Sequence, residues 1–576
     1  MQRLRNILCV LLLSFTASAS ANWIEKSDAI SLQVLELEGA YWPEDAAGYG
    51  LNQFDTHVAD LGKKVHQRYL KDLRAQLADL KKLRSQEQDT QVAQDIDILI
   101  AAVSDSITSA ELEHKLLLPY YNLHELVFYS IKSLLDPRNE KSRYPAALER
   151  LRKYNGSADG YESITSQAIA RSSERFPVSG LVGPYRGELE TDQGKREAFI
   201  TGTRELLADS GLAGWEEDFT LLQQQLDDYA QWVDANIVPR ARQNNQLPVD
   251  IYVDRLKNYG VNATPGELIA KAQYSYQLLR SEMKALALQI AEQRGWKDKS
   301  LLAVIAALKN EQIPAEKVLA TYQQRLAELE QIIVREDIVS LPQRDASIRL
   351  ATAAESAAIP APFMSPPQLL NNTGQYGEFV LVQSNPALGD DAKMDDWSHY
   401  AMTWALTAHE ARPGHELQFA RLVEDGTSMA RAIYASNSAN SEGWGLYAES
   451  IMHEYLPLEG QLFNLYTRAM RAARMFLDPM VNTGQLSRDA AKAFLVEQLL
   501  MSPPMASSEA DRYAFWAPGQ ATSYYYGYMS LMRLRTEVEL AMGSNFSQRK
   551  FHDFILRQGL LPPDLLRSAV LDEFVR

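Results

Sequence analysis

A proline and a glycine sit between two histidines in His409-Glu410-Ala411-Arg412-Pro413-Gly414-His415. A helix carrying His-Glu would present its next inward-facing ligand four residues on, at position 413. That position is Pro, which has no N–H to bond the His409 carbonyl and whose ring crowds that carbonyl. His415 lies six residues on, about 240° round a straight helix and so on the wrong face. The chain must therefore bend here. The Pro-Gly pair can redirect it and swing His415 back toward His409. The competing reading makes His415 a cap of the broken helix, or the holder of a nearby carboxylate.

Around this bend the patterning is helical. Val58, Leu61, Val65, Tyr69, Leu70, Leu73 and Leu77 form an apolar stripe at helical spacing, and residues 92–135 continue in the same style. Thr264-Pro265-Gly266-Glu267 is a capping box that predicts a long helix reaching Arg294, and Ala315 to Arg335 predicts another. The Pro/Gly stretch Phe176 to Gly187 reads as a loop. A second irregular region, Ile359 to Pro386, contains a predicted strand, Gly377 to Gln383. Asp395-Asp396 is placed to cap a helix running through Trp397 to Glu410, with further helices over 417–423, from about 440 through Glu442 and Glu449, and over 462–477, 488–500 and 525–540. The fold class expected is mainly α: a large multi-helical, metallopeptidase-like fold with a small edge β-sheet before the His-Glu helix and a central cleft. Helix-rich surroundings with one small edge sheet before the His-Glu helix resemble the layout of many zinc-dependent peptidases. The expected organisation is a signal peptide over 1–21, a helical N-terminal region over 22–345 and a catalytic-like helical region over 346–576.

The N-terminus supports the first of these. Arg3 and Arg5 precede a short apolar run, Ile7 to Phe15, and Ala17 to Ala21 offers small-residue cleavage sites. Cys9, the sole cysteine, lies inside that run, so the processed chain has no thiol nucleophile and no cysteine metal ligand. A periplasmic or secreted protein is expected, without stable membrane insertion after cleavage. With 46% hydrophobic residues the chain can bury a large core, and a formal net charge of −16 argues against nucleic acid as a partner.

The residues of the bend spell out hydrolytic metal chemistry. Zinc commonly takes three protein ligands and keeps a fourth position for water. His409 is the natural first ligand, Glu442 on the following helix is a candidate third, and His415 completes the set if the bend delivers it. Glu410 is placed as general base. Glu449 lies too far along its helix from Glu442 to share one metal and is expected to orient a neighbour. Arg471, Arg474, Arg533 and Arg535 are candidates for holding a peptide's C-terminal carboxylate, with a structural ion-pair role as the competing reading of each. No Gly-x-Ser-x-Gly, phosphate loop or dinucleotide fingerprint competes.

These motifs resemble those of the DUF885 family: His-Glu-x-x-Pro-Gly-His at 409–415, Glu442-Gly443-Trp444, Tyr447-Ala448-Glu449, Pro518-Gly519-Gln520, Ser523-Tyr524-Tyr525-Tyr526-Gly527, and Phe551-His552-Asp553 with Gly559 and Pro562. The match is strong over roughly the last 240 residues. The resemblance implies a bacterial, often exported protein akin to helical zinc peptidases, with Tyr524 matching the family position for stabilising an oxyanion and Gln520 in the substrate-binding set. One departure is visible. Where the family has Arg-x-x-x-Asp-x-Gly-x-His, this chain has Arg474, Asp478, Met480 and Asn482. Asn482 can donate a hydrogen bond to substrate but cannot carry a proton near neutral pH. Two functions follow as expectations. One is an exported zinc hydrolase acting on short peptides. The other is a catalytically weak or inactive peptide-binding or envelope protein on the same fold.

Overall fold

The computed structural model describes residues 23–352, 355–356, 361–372, 374–382 and 395–575. The expected signal peptide lies outside the described residues, as does Gln383 at the end of the expected strand.

The chain is mainly α. The capping box forms as read: the Glu267 N–H bonds Thr264 Oγ1 at 3.3 Å, Glu267 Oε2 accepts from the Thr264 N–H at 2.9 Å, and the helix Pro265–Arg294 ends at Gly295 with φ 67°. It packs along the helix Leu458–Asn482. That second helix is buried almost all round, from Leu462 and Phe463 to Val481. Its apolar face enters the core, and its other face buries Asn464, Thr467, Arg468, Arg471, Arg474, Asp478 and Asn482, polar side chains held by bonds such as Arg474 to Glu509 and Asn482 to Asp478. Each large side chain it buries contributes on the order of 1.5–3 kcal/mol relative to exposure. One continuous core joins residues of 252–339 to residues of 348–570.

Three short strands form a small sheet in the order β1 (Ser347–Leu350), β3 (Glu378–Leu381), β2 (Phe363–Ser365). β1 pairs parallel with β3, Ile348 opposite Phe379; β2 pairs antiparallel, Met364 opposite Phe379. Sequence reading finds only β3, whose Phe379, Val380 and Leu381 are buried. β2 puts Phe363 and Met364 on the wall of the central cavity.

The helix bearing His409 starts later than expected, at Met402 rather than after Asp396. The Asp396 carboxylate is not a cap. It is buried and taken by Lys309 Nζ at 2.9 Å and by the Ser502 N–H at 3.1 Å and hydroxyl. Among the described residues no helix is long and apolar enough to cross a membrane.

Candidate metal centre

The helix Met402–Glu410 ends at the motif, and the next, His415–Glu424, begins with the second histidine. Between them the chain folds back on the first helix. A Cβ on Gly414 would lie 1.8 Å from the His409 carbonyl oxygen and 2.4 Å from that of Ala408, so only glycine fits. Trp444 Nε1–H donates to the Pro413 carbonyl at 3.0 Å. The buried Arg412 braces the turn through Glu416 and Glu330, both at 2.7 Å, and the Arg344 carbonyl at 3.0 Å.

The fold-back returns His415 to His409. Their rings meet edge to face with centroids 4.7 Å apart. Glu442, on the helix Ser438–Met452, completes the group: its Oε2 lies 3.4 Å from His409 Nε2 and 3.3 Å from His415 Nε2. One donor atom from each of the three residues falls within 4.8 Å of the others. Bonds of about 2.0–2.2 Å at tetrahedral angles separate donors by about 3.3–3.6 Å. The donor set, two imidazoles and a carboxylate facing a cavity, therefore suits a divalent ion such as zinc.

A second carboxylate prepares the first histidine. His409 Nδ1 lies 2.8 Å from Glu449 Oε1, and Glu449 is wholly buried, bonded also by the Thr467 hydroxyl. Burial works against the Glu449 charge, but Arg471 and His409 hold its pKa below the usual range. An ionised carboxylate only accepts, so the proton sits on Nδ1 and Nε2 faces Glu442. Burial disfavours the His409 cation, yet the Glu442 and Glu449 carboxylates lift its pKa to about 9. Burial likewise opposes ionisation of Glu442, and the two imidazoles overcome it, holding that carboxylate well below its ordinary value. Glu410, buried beside them, is pushed up, first by burial.

Glycines set the close approaches. A Cβ on Gly445 would come within 2.7 Å of the His409 ring. Gly443 and Gly527 face each other where Ser438–Met452 crosses the helix Gln520–Met542; a Cβ on either would lie within 3 Å of the other's backbone. That crossing places Tyr524 over the site, its ring nearly parallel to His409 with centroids 6.4 Å apart. The Tyr524 hydroxyl accepts from Arg512 Nη2 at 2.8 Å.

These groups line a cavity of about 540 Å³, walled by Lys195 from the N-terminal helices, by Phe363 and Met364 of the sheet, and by Phe419, Phe515 and Trp516. His409, Glu410, His415, Glu442, Arg474 and Tyr524 all face it. Asn482 and Gln520 are not in that lining. The Asn482 amide is buried and donates to the Asp478 carboxylate and carbonyl and to the Tyr513 carbonyl, each at 3.0 Å. Asp478 in turn receives the Gly519 N–H at 2.9 Å. Asn482 thus holds the start of the Tyr524 helix rather than opening into the cleft. Gln520 bonds Arg512 and, at 2.9 Å, Ser438. Arg474 reaches the cavity but is tied to Glu509 at 2.7 Å. Sequence reading passes over Glu509 and Arg512, though their i, i+3 spacing marks an ion pair, here 3.3 Å.

Fold and site together define a mainly α protein with a His-His-Glu cluster on the floor of a cleft. The chain belongs to the DUF885 family, described as bacterial protein of unknown function, whose model matches residues 43–570. A candidate lipoprotein of unknown function from Shewanella oneidensis is similar in structure, with a TM-score of 0.74 at 17% identity over 95% of this chain and 99% of that one. A candidate lipoprotein from Colwellia psychrerythraea gives a TM-score of 0.76 at 16% identity over 96% and 99%. PZ peptidase A aligns at a TM-score of only 0.27, with 12% identity over 87% and 93%, too low to establish a common fold. No curated protein gives a sequence match.

Proposed function

We propose that this protein is an exported metal-dependent hydrolase, a zinc peptidase acting on short peptides. The observation that carries the reading is the convergence of His409, His415 and Glu442 beside Glu410 in one cavity. His409, His415 and Glu442 would hold the ion. When bound, the metal supplies Lewis acidity toward a carbonyl and acidifies a water.

The remaining work falls to the chain. Glu410 takes a proton from water and passes it to the leaving amine. Burial raises its pKa, which brings its basicity closer to that of its task. Tyr524 donates its phenolic proton to the developing oxyanion. Arg512 already donates to its oxygen, so that proton is free to point into the cavity, and burial keeps the phenol protonated. Export is supported by the N-terminal pattern and by the lipoprotein descriptions of the two similar structures.

The non-catalytic reading takes its motive from the broken His-Glu-x-x-His spacing and from Asn482. That residue lies outside the cavity lining, so its exchange for histidine leaves the His-His-Glu group and Glu410 in place. The deciding experiment is metal analysis of the purified protein together with peptide hydrolysis before and after chelation. Stoichiometric zinc and turnover that chelation removes are expected. A protein that binds no divalent metal would end the hydrolase reading.

A further inference from the structure

The cavity has a cationic end. Arg471 and Arg474 lie one turn apart on the central helix Leu458–Asn482, and Arg512 faces them. All three guanidinium groups gather round the Tyr524 ring, their central carbons 5.9, 5.1 and 5.2 Å from its centroid. Two are spoken for. Arg474 and Arg512 share Glu509, at 2.7 and 3.3 Å, and Arg512 also holds Tyr524 and Gln520. Arg471 is different. It is only 4% exposed and lines the cavity, and its Nε and Nη1 have no hydrogen-bond partner among the described residues; Arg474 and Arg512 also leave Nε without one, but their outer nitrogens hold Glu509. Its nearest acid is Glu449, at 3.9 Å from Nη2, beyond hydrogen-bond reach and already engaged with His409 and Thr467.

A buried guanidinium with unused donors is costly unless an anion answers it. The planar fork of arginine matches a carboxylate through two parallel bonds. Position adds a length constraint. His409 Nδ1 and Arg471 Nη2 lie 2.8 and 3.9 Å from the same Glu449 oxygen. The guanidinium is therefore within about two extended residues of His409, at roughly 3.3–3.6 Å per residue. That span is short enough for a single C-terminal residue to join an anion held there to a peptide bond placed at the His-His-Glu group.

We propose that Arg471 receives the free C-terminal carboxylate of the substrate, so that this protein acts as an exopeptidase on the last peptide bond. This rests on the hydrolase reading and names its substrate class. Hydrolysis of that bond adds one water across the C–N bond, giving a shortened peptide carboxylate and a free amino acid whose own carboxylate stays on Arg471.

The test is arranged so that the two readings fail separately. The dipeptide Ala-Phe and its C-terminal amide are titrated calorimetrically into the Glu410→Gln protein, where binding is read without turnover. The free acid is expected to bind about tenfold to a hundredfold more tightly than the amide, the span of one charge-assisted bond. Arg471→Gln should abolish that preference and Arg471→Lys should keep part of it. Equal binding of acid and amide by protein with an intact Arg471 overturns the proposal, and that arm does not depend on whether an Arg471 variant folds. A preference that survives Arg471→Gln overturns it as well. Loss of the hydrolase reading shows elsewhere, as absence of metal and of turnover, and leaves this binding comparison readable.

Discussion

Two histidine pairs face cavities of similar size in this molecule, and they behave as opposites. His409 and His415 meet edge to face beside Glu442 and Glu449. His66 and His114 stack flat, with centroids 3.8 Å apart, on the wall of a cavity of about 620 Å³. The second pair is met by a cation, Arg175, whose Nη1 lies 3.2 Å from His114 Nε2. At the first pair two carboxylates raise the His409 pKa to about 9 despite burial. At the second, burial, His66 and Arg175 push His114 down to about 4. Two imidazoles at close range do not make a cation site. The acids that share them do, and among the described residues only the first pair has an acid in ligand position.

Breaking the chemistry on one side should give the largest effect. Glu410→Gln is expected to lower peptide turnover by about 10²–10⁴-fold, the usual share of a general base, while metal content stays unchanged. Steady-state kinetics alongside metal analysis checks both halves, and a variant with normal turnover would remove Glu410 from the reaction.

The ligand set itself is the next target. His409→Ala and His415→Ala should each weaken zinc binding by more than about a hundredfold, since losing even an outer partner of a ligand costs 10–100-fold. The His66→Ala/His114→Ala double variant should bind zinc as the wild type does. Competition with a chromogenic chelator measures all three, and loss of zinc from the double variant would erase the distinction between the pairs.

A subtler change tests the preparation of His409. Glu449→Gln should lower zinc affinity by about 10–100-fold with the fold intact. Gly445→Ala should act in the same direction, because its Cβ would press on the His409 ring at 2.7 Å. Unchanged affinity in both variants would mean that the ring needs neither support.

The smallest effect is in proton binding, and its sign differs between the pairs. From an ordinary value of 6.5, the His409 pKa is raised in the metal-free protein, so its contribution to stability is full below about 6.5 and fades as pH rises through about 9. The His114 pKa is lowered, so its contribution is present above about 6.5 and fades as pH falls through about 4. Histidine ring resonances followed by NMR across that range should give one midpoint well above 6.5 and one well below. Coincident midpoints would contradict the electrostatic contrast.

Particular residues show how far sequence reading reaches. The capping box at Thr264, the strand at Phe379 and the bend at Pro413-Gly414 are local: neighbouring residues decide them, and each forms, the strand over Glu378–Leu381 of the expected Gly377–Gln383. The failures are all long-range. Asp396 reads as a helix cap, but Lys309 and Ser502, far away in sequence, claim its carboxylate. β1 and β2 are too short to carry a pattern and exist through their pairing with β3. Asn482 and Gln520 carry the right chemistry for a cleft, yet packing commits them to Asp478, Tyr513, Arg512 and Ser438. Arg471 and Arg474 are indistinguishable in sequence; only the position of Glu509 separates the paired one from the other.

The amino-acid sequence by itself determined that the helix bearing His409 and Glu410 must bend, since Pro413 has no N–H for the His409 carbonyl and its ring crowds that carbonyl. It also determined a mainly α chain with Glu442 on the next suitable helix. The tertiary structure decided where the second helix points, and so that His415 returns to within 3.3 Å of Glu442. It decided too that Glu449 reaches His409 and that Arg471 has donors to spare. Those outcomes depend on how helices cross, at contacts such as Gly443 against Gly527, and a crossing is set by side chains that lie far apart in the chain.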